Sequence, residues 1–301
     1  MLRTEAIEKR YGGVEALAGL TVDVPEGSVF ALIGPNGAGK STAIKVIMNL
    51  LRATSGYAEV LGVDSRKLGP EQLARIGYVS ENRRLPDWMK AGEFFAYCKG
   101  FYPGWRDEDL EGLARLYELP LDRPLKAMSR GMRVKAAMAA AMSYRPRLLI
   151  LDEPFGGLDV LVREQAIESI LERVPETTVF LASHDLAEIE SFATHVAYLD
   201  QGRLAFVEEM TALSARFREV EVVLESEGAL PAELPAEWLN AERTGLVARF
   251  VHARYDGART EAEIRRVFSG VQEIAVRGLG LRGIFVALAK SAKRTQRGGG
   301  M

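Results

Sequence analysis

Cysteine is almost missing from this chain: Cys98 stands alone among 301 residues, beside only three histidines. Disulfide frameworks and thiolate or imidazole zinc clusters are thereby excluded, and the usage fits a cytosolic compartment. Long hydrophobic runs are lacking as well. The longest, Val29 to Ile33 and Leu148 to Leu151, are strand-sized, far below the roughly 20 residues a bilayer-spanning helix needs. Neither sign of charge dominates. With 39 Lys plus Arg against 41 Asp plus Glu, the net charge of −2 offers no long-range attraction for nucleic acid, and no nucleic-acid partner is expected. The opening Met1-Leu2-Arg3-Thr4-Glu5 has no charged-then-apolar leader, so the mature chain is expected to begin near Met1. What is present is ordinary globular material, 48% hydrophobic and 27% charged, enough for about two domains with their own cores.

Residues 1 to about 212 alternate apolar runs with helical patterns, which predicts an α/β domain whose mostly parallel sheet is covered on both faces. The strand candidates are Leu20 to Val24, Val29 to Ile33, Arg75 to Val79, Leu148 to Leu151, Thr178 to Ala182 and His195 to Leu199. Most are continuous apolar runs, as strands buried on both faces should be. From about 82 to 146 the pattern turns helical and aromatic, with Trp88, Phe94, Phe95, Tyr97, Phe101, Tyr102 and Trp105 crowded together, and reads as an inserted helical subdomain. A small α+β unit is expected over 216–293, and a disordered tail over 294–301. Its alternating Val220, Val222 and Leu224, and Ile284, Phe285 and Leu288, offer apolar faces that could pack on the first domain or on a second chain.

Gly34-Pro35-Asn36-Gly37-Ala38-Gly39-Lys40-Ser41-Thr42 fits G-x-x-x-x-G-K-[ST], follows an apolar strand and opens a helix. Glycines let successive N–H groups curl around phosphate oxygens; Lys40 adds charge for the β- and γ-phosphates, and Ser41 offers a hydroxyl to Mg²⁺. This loop alone leaves kinases, GTPases, motors and transport ATPases open. The run Leu148 to Leu151 ends in Asp152 and Glu153, which would set Asp152 beside the loop as a Mg²⁺ ligand and Glu153 where it can orient and deprotonate a water.

With these motifs in order, the chain resembles the nucleotide-binding subunit of an ATP-binding cassette (ABC) transporter. Tyr11 sits where that family stacks an aromatic on adenine. Met128-Ser129-Arg130-Gly131-Met132 occupies the place of the signature usually written Leu-Ser-Gly-Gly-Gln, Gly157-Leu158-Asp159 that of the loop after the second carboxylate motif, and Ala182-Ser183-His184-Asp185 that of the switch histidine. The resemblance covers residues 1 to about 212. It implies a phosphate-loop fold with a helical signature subdomain, ATP and Mg²⁺ as ligands, Asp159 among the nucleotide-binding residues, and two chains around a twofold axis sandwiching two nucleotides, with Ser129 and Gly131 of one chain facing the nucleotide of the other.

Two departures stand out. Glu81 replaces the family's usual Gln; it keeps an oxygen for the metal but loses an amide donor. Arg130 and Met132 replace a Gly and a Gln in the signature. The run Glu81 to Met89, with Phe101 to Trp105, is similar to export ATPases paired with separate multi-span permeases, which implies a place on the cytoplasmic face of the membrane. A soluble ABC ATPase acting on ribosomes or DNA, or a non-hydrolysing nucleotide-binding regulator, are the alternatives. The last is disfavoured by the retention of Glu153 with His184.

Overall fold

A computed structural model describes residues 1–80, 84–156, 158–174 and 176–298, with side chains as far as residue 291. In chain order its elements are β1 (Leu2–Tyr11), β2 (Val14–Val24), β3 (Val29–Ile33), α1 (Lys40–Ile47), β4 (Ser55–Val60), β5 (Val63–Asp64), α2 (Pro70–Leu73), β6 (Ile76–Ser80), α3 (Ala91–Lys99), α4 (Asp107–Leu116) and α5 (Arg130–Met142). There follow β7 (Leu148–Asp152), α6 (Val160–Leu171), β8 (Thr178–Ser183), α7 (Leu186–Glu190), β9 (His195–Asp200), β10 (Arg203–Glu209), α8 (Met210–Arg216), β11 (Arg218–Leu224), β12 (Trp238–Thr244), β13 (Val247–His252), α9 (Gly257–Val267), β14 (Val271–Gly278) and α10 (Leu281–Gly298). They form two compact units, Met1–Val207 and Glu208–Met301.

The first unit holds a six-stranded sheet in the order β10-β9-β3-β8-β7-β6. Strands β3, β7 and β8 are buried at every residue, the consequence of cover on both faces. Parallel pairing sets Ile33 opposite Ser183 and Asp152 opposite Ala182. The chain therefore leaves β3, β7 and β8 at one common edge, the carboxyl edge where α/β sheets bind ligands. A second, antiparallel sheet, β2-β1-β4-β5, was not anticipated from the sequence. Its long strand β1 hides its period because bulges break the register after Thr4, Ile7 and Lys9, with Ala6 at φ 45°. Helix α1 packs β2 and β4 against β7 and β8, burying Ala43, Ile44, Val46 and Ile47 in a core shared by both sheets.

In the helical part, α3, α4 and α5 account for some of the aromatic cluster. Phe94 and Phe95 are buried, and Tyr102 stacks on Tyr144 at 3.8 Å between ring centres. Trp88, Tyr97 and Phe101 are 80%, 55% and 61% exposed.

The second unit is a four-stranded antiparallel sheet, β12-β13-β11-β14, with α9 and α10. Val220, Val222 and Leu224 do face one way, but they are used within the unit, packed with Trp238, Phe250, Ile264 and Phe268; the face expected to dock elsewhere closes its own core. Helix α10 contacts β12, where Asn240 Nδ2 donates to the Ala287 carbonyl at 3.0 Å. It continues to Gly298, beyond the end expected at 293. Helix α8 falls within the second unit, where the Arg216 guanidinium donates to the Ala253 carbonyl at 2.7 Å.

Candidate active site

The loop after β3 is wedged between backbones. A Cβ on Gly34 would stand 2.0 Å from the Leu199 carbonyl oxygen, and one on Gly39 would stand 2.4 Å from that of Ala16. Gly39 also adopts φ 111°, so glycine is required there twice over. It immediately precedes α1, whose first-turn N–H groups have no partners in the helix itself and whose dipole favours an anion. Lys40, the first residue of α1, is buried. Its Nζ donates to the carbonyls of Gly34 at 2.7 Å and Pro35 at 3.2 Å and lies 3.2 Å from Glu153 Oε1.

Across the sheet edge, Ser41 Oγ donates to Asp152 Oδ1 at 2.8 Å. Asp152 is buried, and that burial raises its carboxyl above the usual range, with Glu153 adding repulsion and the Ser41 bond opposing. A hydroxyl and a buried carboxylate are the hard-oxygen donor set that suits Mg²⁺.

Glu153 leaves the end of β7 at φ 50°, a left-handed conformation that costs a side-chain-bearing residue energy and recurs where function sets the geometry. Its N–H is anchored on the Ala182 carbonyl at 2.9 Å. The turn aims the carboxylate between two groups: Oε1 faces Lys40, and Oε2 lies 2.8 Å from His184 Nδ1. One carboxylate thus ties together residues following three different strands.

The remaining candidates fall elsewhere. Tyr11 is half-exposed at the end of β1, its ring 5.1 Å from Lys9 Nζ. Ser129 caps α5 by accepting the Met132 N–H at 3.2 Å, and Asp159 caps α6 by accepting that of Val162 at 2.9 Å. Gly131 faces Leu158 and Val162 of the segment after β7. Among the described residues, none of these three touches the Lys40, Glu153 and His184 cluster. Glu81 and Gly157 lie outside the described residues.

One pair escaped the sequence reading. Glu188, one turn beyond His184 on α7, is only 7% exposed and lies 2.9 Å from Arg163 Nε on α6. Burial and the nearby Asp185 push its carboxyl up to about 7, against the pull of Arg163 and His184. The Arg163 Nε–H is not aligned into a hydrogen bond, so this short ion pair offsets the burial only in part.

The family model described as ABC transporter matches residues 17–156. The daunorubicin resistance ATP-binding protein DrrA2 of Streptomyces coeruleorubidus is 36% identical over 208 residues, 67% of this chain and 65% of that protein, so the chain spans just under two thirds of its length. The daunorubicin/doxorubicin resistance ATP-binding protein DrrA of Streptomyces peucetius is 31% identical over 304 residues, covering 95% of this chain and 92% of its own. Among solved structures, an ATP-binding subunit of an ABC transporter superposes with a TM-score of 0.66 at 26% identity, over 71% of this chain and 92% of that one.

Proposed function

The chain belongs to the ATP-binding subunits of ABC transporters, and from that premise we propose that it hydrolyses ATP to power export through a separate multi-span membrane permease, working as a twofold pair with a second copy of itself. The observation that carries the reading is Glu153, a single carboxylate turned by a left-handed backbone to lie between Lys40 and His184 at the edge where the phosphate loop begins.

ATP brings the scissile phosphate, and Mg²⁺, when bound by Ser41 and Asp152, supplies positive charge to its oxygens. Lys40 exchanges its loop carbonyls for phosphate oxygens and fixes the chain of phosphates along the start of α1. Glu153 receives the proton of the attacking water as the water oxygen bonds to phosphorus and the bond to the leaving ADP breaks. His184 holds the carboxylate and the water in line, a positioning effect worth several powers of ten in such sites. Tyr11, exposed at the end of β1, is the adenine platform in this scheme. Pro35, Asn36, Gly37, Ala38 and Thr42 complete the phosphate cradle, and Glu81 contributes an oxygen toward the metal.

Ser129, Gly131 and Asp159 sit apart from their own chain's cluster, which suits residues that complete the site of a partner chain. The drug-resistance names of DrrA2 and DrrA support export. The permease surface is assigned to exposed Trp88, Tyr97 and Phe101, where Tyr97 and Phe101 meet edge to face at 5.0 Å. Among the described residues no helix is long and apolar enough to cross a membrane, so attachment at the cytoplasmic face is assigned to the permease. The test is Glu153→Gln, which should retain ATP binding and lower turnover at least ~100-fold. Turnover like that of the unsubstituted protein would remove Glu153 as the base.

A further inference from the structure

Two charged residues that the hydrolysis scheme does not use stand directly behind its reactive pair. Glu153 and His184 are the first residues after β7 and β8, and they meet at 2.8 Å. Further along the same two connections the segments meet again, where Arg163 Nε of α6 lies 2.9 Å from Glu188 Oε1 of α7. Arg163 is fixed to the start of α6, since its main-chain N–H donates to the Asp159 carbonyl at 3.1 Å. Glu188 is buried one turn beyond His184.

Helix α7 is too short to hold His184 by itself. Its five residues make little more than one turn, far below the length at which a helix is stable alone, so its place is set by what it packs on. Ile189 is buried, and Phe192 meets Phe155 edge to face at 6.1 Å between ring centres. Such contacts hold the helix down without fixing its rotation, because hydrophobic attraction has no direction. The Arg163 contact has one: it draws a single face of α7 toward the first turn of α6. Stability does not account for the charge. A buried carboxylate that faces a guanidinium through an unaligned Nε–H recovers only part of its lost hydration, and Asp185 and Glu153 add repulsion. A neutral side chain of the same shape would serve packing better, and ionisable groups perturbed in this way gather at functional sites.

We propose that Glu188 and Arg163 are positioning residues for hydrolysis, which by drawing α7 onto α6 set the His184 ring against the Glu153 carboxylate. This rests on the reading of Glu153 and His184 as the hydrolytic pair. Ionised Glu188 places a full charge opposite the guanidinium at short range, away from bulk water, where such attraction is strong. Drawing α7 in carries His184 with it, because the adjacent Asp185 caps the helix by accepting the Ala187 N–H at 3.0 Å. The groups that face Glu188 are Arg163 from α6, Glu153 from the end of β7, and His184 and Asp185 from the entry to α7. Arg163 and His184 favour the ionised, engaged form, and the two acids oppose it.

The test measures steady-state ATP turnover and ATP affinity of the intact chain carrying Glu188→Gln, Arg163→Gln or both. Glu188→Gln keeps the shape of the side chain and removes the buried charge, so it should melt no lower than the parent and its turnover is read on folded protein. Its kcat at about pH 8 should fall about 10-fold, while KM and the dissociation constant for ATP stay within about 2-fold. The double variant should be no slower than the slower single one, since the two residues act as a unit. Burial brings the Glu188 carboxyl up to about 7, so about a tenth of the parent is ionised at about pH 6 and nearly all at about pH 8. The ratio of parent to Glu188→Gln kcat should therefore climb from about 2 to about 10 over that range, whereas a merely structural contact leaves it flat. Parent-like turnover of Glu188→Gln at about pH 8, a loss matched by weaker ATP binding, or a flat ratio would each overturn the proposal. Glu153→Gln measured alongside separates the two readings. If it too turns over like the parent, the hydrolytic assignment falls and this proposal with it; a crippled Glu153→Gln beside an unaffected Glu188→Gln removes the positioning role alone.

Discussion

Glu188 provides the sharpest test of the electrostatics around His184. Its carboxyl lies at about 7 in the folded protein against an ordinary 4.5, because it is buried on α7 beside Asp185 and incompletely compensated by Arg163. At about 1.4 kcal/mol per tenfold change in proton affinity, the difference corresponds to about 3 kcal/mol. The sign follows from which state holds the proton more tightly. Below the ordinary value both folded and unfolded chains carry it, and folding is not penalised. As pH rises past 4.5 the unfolded chain ionises first and stability falls, until above about 7 both forms are ionised and the loss is complete. Glu188→Gln cannot ionise and should escape the loss. Calorimetric melting of the two proteins between about pH 4 and pH 8 should show the variant gaining about 3 kcal/mol on the parent, or about 6–12 °C in the transition of the first unit. A melting difference that stays flat across that range would refute the account of a buried, undercompensated carboxylate.

Lys40→Ala removes the buried amine that bridges the loop carbonyls and Glu153, and should weaken ATP binding at least ~100-fold in equilibrium dialysis. Affinity equal to that of the parent would mean that the loop is not the phosphate site. Glu153→Gln, stalled before hydrolysis, should sediment as a dimer with ATP and Mg²⁺ together with the permease and as separate subunits without nucleotide; an unchanged sedimentation profile would remove the sandwich arrangement. Phe101→Glu, at an exposed ring, should leave the fold and basal ATPase rate intact while lowering permease-coupled transport by about 10-fold or more. Loss of folding would instead make Phe101 part of the core.

The phosphate loop was legible because its chemistry is contiguous: residues 34–42 carry their own turn, charge and hydroxyl. Strands β3, β7 and β8 were legible for a related reason, since burial on both faces leaves unbroken apolar runs. Strand β1 was not, because charged residues alternate with apolar ones and its bulges shift the alternation. Strand β12 was missed as well; Trp238, Leu239 and Ala241 are interleaved with Asn240, Glu242 and Arg243, a pattern that reads as loop. Within the site, the sequence placed Glu153 and His184 by motif order, but their 2.8 Å approach depends on the left-handed turn at Glu153 and on β8 lying beside β7. The Arg163 and Glu188 pair had no local signal, because its members stand 25 positions apart with the whole of β8 between them. A charged residue on the inner side of a short helix was the available hint.

The two glycines that wedge the phosphate loop carry a lesson for protein engineering. The Ala16 carbonyl comes from β2 and the Leu199 carbonyl from β9, so the cradle is clamped by strands of two different sheets, both outside residues 34–42. Transplanting the nine-residue motif onto another strand and helix would carry its hydrogen-bond donors but not the walls that hold them in place. A graft would have to rebuild both walls. Conversely, a stabilising redesign of either sheet has little freedom at these positions, since a shift of a few tenths of an ångström in β2 or β9 is transmitted directly to the backbone that must meet the phosphates.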